Sequence, residues 1–220
     1  MTTLNSSSSE EPASSNESLV TSSKHNSAYD AVFWVVFLAN TALMVAVAVL
    51  FRYADFVTHA GGTDLQLGMI VGVGTLGALA MRIFQGVGID RFGPRRVWLI
   101  SLMLFVGSTL AHLTIDSVYG PVVYFVRILM MTSLAGSFGA SITFISLRAP
   151  PKRMAEMIGM LGTSGFVGIA LGPVLADWIF GTGAITRFHV DQMFLLAAFA
   201  GSISLICAAL ATRGQIRPLT

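Results

Sequence analysis

A chain of 220 residues that is 54% hydrophobic, only 11% charged and +0.75 in mean hydropathy cannot hide its apolar surface as a soluble fold, where about a quarter of residues are charged. The net charge of +2 is small and most of the basic residues sit in short loops, which argues against a nucleic-acid surface. One cysteine, Cys207, excludes an intrachain disulfide or a cysteine-based metal site, and four scattered histidines form no metal cluster.

Residues 1–28 are polar and serine-rich, as in "SSSSEEPASSNESLVTSSKHNS". Such a segment buries too little apolar area to fold, so a disordered tail is expected. It lacks the basic start and immediate apolar run of a secretory signal. Six apolar runs follow, at about 31–53, 65–85, 97–115, 121–147, 157–180 and 193–212. Each is near the roughly 20 residues that cross a bilayer, and backbone groups in lipid must be satisfied within the segment, so each is expected to be a helix. The fold class is therefore an all-α polytopic membrane protein, with its membrane domain over 29–213 and a short C-terminal segment over 214–220. The breaks carry turn chemistry: "HAGGTD" at 59–64, "RFGPRR" at 91–96, "DSVYGP" at 116–121 and "RAPPKR" at 148–153.

Charge placement orients the spans. The tail and the second, fourth and sixth connections hold Lys24, Arg91, Arg95, Arg96, Arg148, Lys152, Arg153, Arg213 and Arg217. The other side holds Arg52 and Arg187. By the positive-inside rule both termini are cytoplasmic.

Inside the spans, small residues offer close-approach faces. The second span carries Gly68, Gly72, Gly74 and Gly77, the fourth carries "AGSFGAS" at 135–141, and the fifth carries Gly159, Gly162, Gly165, Gly168 and Gly172 followed by Pro173. Such stripes serve either tight static packing or a sliding interface. Two arginines fall within spans. Arg82 is close enough to the cytoplasmic end to snorkel. Arg127, with no charged neighbour within ten positions, either snorkels to the outer surface or faces a polar cavity. No carboxylate falls near the middle of any span; Asp177, near the outer end of the fifth, is the one acidic residue within them.

The run Gly86, Asp90, Arg91, Gly93, Arg95, Arg96, placed between the second and third spans on the cytoplasmic side, resembles the loop signature of the major facilitator superfamily (MFS). Arg127 resembles that family's helix-four arginine, although Met130 and Met131 stand where a Gln-Gly pair is usual. Gly168, Gly172 and Pro173 are similar to its helix-five glycine–proline motif, although Ala176 and Asp177 replace the trailing glycines of the antiporter form. The resemblance covers about 31–212 and implies the amino-terminal six-helix half of such a transporter, a 3+3 inverted repeat. It implies secondary transport of a small solute by alternating access, with no cofactor, no enzymatic activity and a bacterial inner (plasma) membrane location. Asp90, Arg91 and Arg95 would brace a gate. Asn40, Thr41 and Arg127 would be the cavity residues, and Gly165, Gly168, Gly172 and Pro173 a packing or hinge element. Nitrate porters share a run similar to Arg82, Gly86, Asp90, Gly93, Pro94 and Arg95, but "GTSGFVGIALGP" lacks the Asn-containing signature of their fifth helix, so anion transport stays a minor option.

A complete family member has about twelve spans, with substrate held between two halves. This chain is a fragment, a truncated product, or a half that pairs with another chain or with its own copy. Two other readings stand beside transport. One is a non-transporting scaffold or degenerate half. The other takes "GTSG" at 162–165 as similar to the Gly-x-Ser-Gly of rhomboid proteases, which requires a histidine beside Ser164. His112 is in the third span and His189 precedes the sixth in an outer loop, whereas the rhomboid pattern places its histidine within the last core helix, where none stands.

Overall fold

The computed structural model describes residues 29–181 and 183–213. The tail expected over 1–28 and the segment over 214–220 lie outside them. Six helices are long and apolar enough to cross a membrane. They are labelled here α1 (Ala31–His59), α2 (Asp64–Phe92), α3 (Pro94–Thr114), α4 (Pro121–Arg148), α5 (Pro151–Phe180) and α6 (Arg187–Ala211). The chain is thus a multi-pass integral membrane protein, all-helical in its described residues.

Local chemistry sets the helix starts. The Asp30 carboxylate accepts from the Phe33 amide at 2.9 Å and caps α1. Thr63 and Gln66 form a capping box at the head of α2. Pro94 and Pro121 stand at the first positions of α3 and α4, where no amide proton is needed. α1 tightens into a 3₁₀ turn at Leu50–Arg52 and then continues to His59, past the expected end near residue 53. α4 has 28 residues, about 42 Å at 1.5 Å per residue, longer than a ~30 Å hydrocarbon core.

The basic turn is far shorter than the sequence suggested. α2 runs on to Phe92, so Gly86, Asp90 and Arg91 are helical, and α3 begins at Pro94. The break is Gly93 alone, at φ +79°, a conformation that suits glycine. Its amide donates to the Ile89 carbonyl at 2.8 Å and closes α2. Charge marks where a helix leaves lipid, and the helix ends only where the backbone demands it.

The helices pack in the order α5, α1, α6, α3, α4, α2: α1 lies against α5 and α6, α3 against α6 and α4, and α2 against α4. The core between them is aromatic and branched, with Phe33 and Leu43 of α1, Trp98 and Phe105 of α3, Met130 of α4 and Phe194 of α6 all within 2% of full burial. The flanking helices are the least enclosed. In their most apolar stretches, 11% of the residues of α2 and 22% of those of α5 are buried, against 44–50% in the other four. Leu76, Ile83, Phe84 and Val87 of α2 and Phe166, Val174 and Trp178 of α5 are exposed.

Polar ties hold both ends of the bundle. At the end that carries Tyr29 and Arg213, Arg148 pairs with Asp30 at 2.7 Å, joining α4 to the head of α1. Beside it the Tyr29 hydroxyl donates to Glu156 at 2.7 Å, a bond that holds the phenol proton above its ordinary pKa. At the opposite end Arg187 donates to the Leu113 and Ile115 carbonyls, closing the last turn of α3. Arg52 there pairs with Asp55 and Asp177 and lies 4.2 Å from the Phe180 ring centroid.

Candidate functional site

The spacing that makes α4 a membrane helix also forces its arginine into the bundle. Val123, Val126, Arg127 and Met130 fall on one face, and all are buried. Arg127 is 5% exposed. A lone arginine at membrane depth costs at least about 2.5 kcal/mol on insertion scales, so its surroundings must offset that cost. Its guanidinium carbon sits 4.0 Å from the centroid of the Tyr53 ring, close enough for a cation–π contact. No acceptor meets Nε or Nη1, and no carboxylate pairs with the side chain among the described residues.

Tyr53 is in turn held by α3 and α6. Its hydroxyl is 3.3 Å from Nε2 of His112, whose Nδ1 is 2.8 Å from the Ser108 carbonyl. A carbonyl only accepts, so in the neutral ring Nδ1 carries the proton and Nε2 accepts from Tyr53. Phe194 stacks on His112 at 4.8 Å and 14°, and Phe56 closes the group edge-on. The guanidinium therefore rests on a fixed aromatic platform built from three spans.

On its other flank the arginine stem runs across Gly74 of α2. A Cβ there would lie 2.8 Å from Arg127 Cγ. Gly74 is thus a positioning residue: its missing side chain is the space the arginine uses. Beside this seat is a partly open cavity of about 160 Å³, lined by Val47, Leu50, Phe51, Phe105, Arg127, Met130, Met131 and Leu134. Arg127 is the charged group in an otherwise apolar wall.

The other residues singled out from sequence are placed as follows. Asn40 is buried, and its Oδ1 has no partner. Thr41 donates its hydroxyl to the Phe37 carbonyl at 3.0 Å, and its own carbonyl faces α5. Neither lines the Arg127 cavity, to which α1 contributes residues about two turns farther along. Gly168 and Gly172 meet α1 at close quarters: an added Cβ would lie 2.4 Å from Met44 Cβ and 2.2 Å from Ala48 Cβ respectively. Gly165 is looser, at 3.8 Å from Met44, and Gly159 and Gly162 face open space. Pro173 stands inside α5, next to that contact.

The loop-motif residues are grouped at one end of α2 and α3, apart from the cavity. Asp90, Arg91 and Arg96 are exposed and Arg95 is partly exposed. None of the four forms an ion pair among the described residues; Arg91 lies 5.7 Å from the Phe92 ring centroid. Ser164 is buried and donates to the Leu161 carbonyl, while His112 is bonded to Tyr53 and Ser108 and His189 to Thr186. The serine–histidine pair that rhomboid chemistry requires is therefore not formed by these side chains.

Sequence reasoning singled out Arg127 as a charge within a span, either snorkelling or facing a cavity, but missed Tyr53 and Gly74; its burial favours the interior reading. Tyr53 read as the aromatic end of a span, and Gly74 as one glycine among several. The close approach of Gly74 to an arginine on another helix leaves no local trace.

Known proteins place this architecture. A sequence profile of the Major Facilitator Superfamily matches residues 30–218. The chain is 28% identical over 162 residues to a multidrug resistance protein B homolog of Mycobacterium tuberculosis, covering 70% of this chain and 27% of that protein. It is also 28% identical over 162 residues to an uncharacterized MFS-type transporter of Methanocaldococcus jannaschii, covering 70% of this chain and 38% of the relative. The matched stretch thus spans well under half the length of either relative. With six membrane helices and a profile match over most of its length, the chain belongs to the Major Facilitator Superfamily.

Proposed function

We propose that this chain is one six-helix half of a secondary transporter that moves a small solute by alternating access. The observation that carries the reading is the buried Arg127 beside its partly open cavity, together with the two open flanks. A buried cation beside a cavity is a substrate-handling feature, and α2 and α5 leave long apolar faces for a second half to cover. That second half is another chain, a second copy, or the continuation of a longer protein. The relative named for multidrug resistance supports a small organic molecule as the solute.

The two triplets, α1–α3 and α4–α6, form an inverted repeat. The pairing supports it: exchanging α1 with α4, α2 with α5 and α3 with α6 turns the α1–α5 contact into α4–α2, and α1–α6 into α4–α3, and both are present. The glycine contacts obey the same exchange, Gly168 and Gly172 packing on α1 as Gly74 and Gly77 pack on α4. The distribution of basic residues supports cytoplasmic termini in a plasma membrane. Asp90, Arg91 and Arg95 act as a gate latch on the partner half, consistent with their exposure without partners here. Asn40 and Thr41 join Arg127 in the pathway when the halves close, and Gly165, Gly168, Gly172 and Pro173 let α5 rock against α1.

The test is solute flux in proteoliposomes, with the chain alone and with a candidate partner half. Flux that appears only with both halves supports the proposal. No flux of any polar or amphiphilic solute from correctly folded, paired protein would favour the scaffold reading.

A further inference from the structure

We infer that the Arg127 cavity is a binding site for a small organic anion with an aromatic body, its charged group against the guanidinium and its ring among Phe51, Phe105, Met130 and Met131. The inference rests on the transport reading only for its purpose; the site is argued from geometry.

Charge gives the sign of the ligand. Arg127 is a permanent cation, 95% buried, with Nε and Nη1 lacking any acceptor. Tyr53 stabilises the guanidinium through its ring face but takes no hydrogen bond from it. Both atoms are closed off, so neither water nor protein compensates the charge there. A cation left uncompensated in a low-dielectric wall is met best by a charged acceptor, since charge-assisted bonds are about twice as strong as neutral ones. A cationic solute would meet an uncompensated like charge, with no carboxylate lining the cavity to receive it.

The wall gives the body. Seven of the eight lining residues are apolar, so a bare inorganic anion would lose its hydration and regain one partner. An aromatic acid regains both halves of its surface. Methionines adapt to varied ring shapes and favour sulfur–aromatic contact. Size agrees as well: at about 160 Å³ the cavity matches the ~150 Å³ that holds a benzene-sized ligand. Arg82, the arginine of the run similar to nitrate porters, is exposed and outside this cavity. The site therefore depends on Arg127 and owes nothing to that run.

The test is equilibrium binding of radiolabelled benzoate, benzyl alcohol, benzylammonium and nitrate to the full chain in lipid nanodiscs, with empty discs subtracted. Benzoate should saturate and bind at least tenfold more tightly than each of the other three. Arg127→Met should erase the preference for benzoate over benzyl alcohol. Met131→Trp, which fills the cavity and keeps the charge, should abolish both; it also decides the question if Arg127→Met fails to fold. Benzoate binding equal to that of benzyl alcohol, matched by nitrate, or unchanged in a folded Met131→Trp protein would overturn the inference. Flux of some solute without benzoate binding would overturn it and leave transport standing. Benzoate binding without any flux would support the site and count against transport.

Discussion

The two ends of α2 meet the rest of the bundle on opposite terms. In its first half, Gly74 and Gly77 let α4 approach so closely that an added Cβ would lie 2.8 Å from Arg127 Cγ and 2.7 Å from Ile128 Cγ2. In its last turns, Gly86 and Gly88 face open space, and Asp90 and Arg91 project from the bundle. Glycine is a packing surface at one end and an unoccupied surface at the other, within a single helix. The residue type is the same; the neighbour decides what it does. The recognisable motif lies at the end where the described residues supply no neighbour for Gly86 and Gly88 and no ion-pair partner for Asp90 and Arg91, and the motif-free end packs against the buried charge.

The largest expected effect tests that contrast directly. Gly74→Leu forces a side chain into the space of the Arg127 stem and should cost about 2–3 kcal/mol, in the range of overpacked cores. Gly86→Leu meets nothing within 4 Å and should stay within about 0.5 kcal/mol. Thermal unfolding in one detergent compares the two, and a similar fall in Tm for both would erase the distinction between the ends.

A smaller effect sharpens the account of the packed end. Tyr53→Phe keeps the ring under Arg127 and loses the hydroxyl that His112 accepts, a change of about 1 kcal/mol. Tyr53→Leu removes the π face as well and adds up to about 2 kcal/mol for a desolvated cation. The same unfolding assay should rank wild type above Tyr53→Phe and Tyr53→Phe above Tyr53→Leu. Equal losses in both variants would mean that the ring face does not hold the arginine.

The contrast also explains what could be read from sequence. The six spans were legible because lipid enforces one rule on every backbone group, and a long apolar run is its direct trace. Gly93 and Pro94 were legible as a break, since glycine admits the positive φ at which a helix ends and proline cannot continue the helix before it. The length of α2 was not, because Asp90 and Arg91 favour water without ending a helix. Arg127 stood out because a charge among apolar residues is anomalous by itself. Its platform did not: Tyr53 lies 74 positions away and Gly74 lies 53, and such pairings depend on how helices are laid together. Asn40 and Thr41 show the same limit. They are adjacent in sequence but about 100° apart around a helix of 3.6 residues per turn, so their side chains leave α1 in different directions, which adjacency in sequence does not show.

Gln85 lies between the two ends of α2 and marks where packing gives way. Its amide nitrogen is 3.5 Å from the Gly136 carbonyl, and its side chain fills the space above Gly139. Gln85→Ala should cost about 0.5–1 kcal/mol, the net worth of a modest hydrogen bond. A loss as large as that of Gly74→Leu would place Gln85 within the tightly packed region and leave no graded boundary before Gly86.

The smallest effect on the isolated chain belongs to the motif, and there the absence of a neighbour becomes a measurable statement. Asp90→Asn combined with Arg95→Ala removes two charges that pair with nothing among the described residues, so unfolding of this chain alone should shift by no more than about 0.5 kcal/mol. If the pair latches onto a second six-helix half, the same double variant should weaken association with that half and lower flux in the reconstituted pair, while Gly86→Leu does so less. Full flux from the double variant would remove the latch and leave the arginines a topological role only. A large loss of stability in the chain alone would mean that the open end of α2 has an internal partner after all, and the two ends would no longer differ in kind.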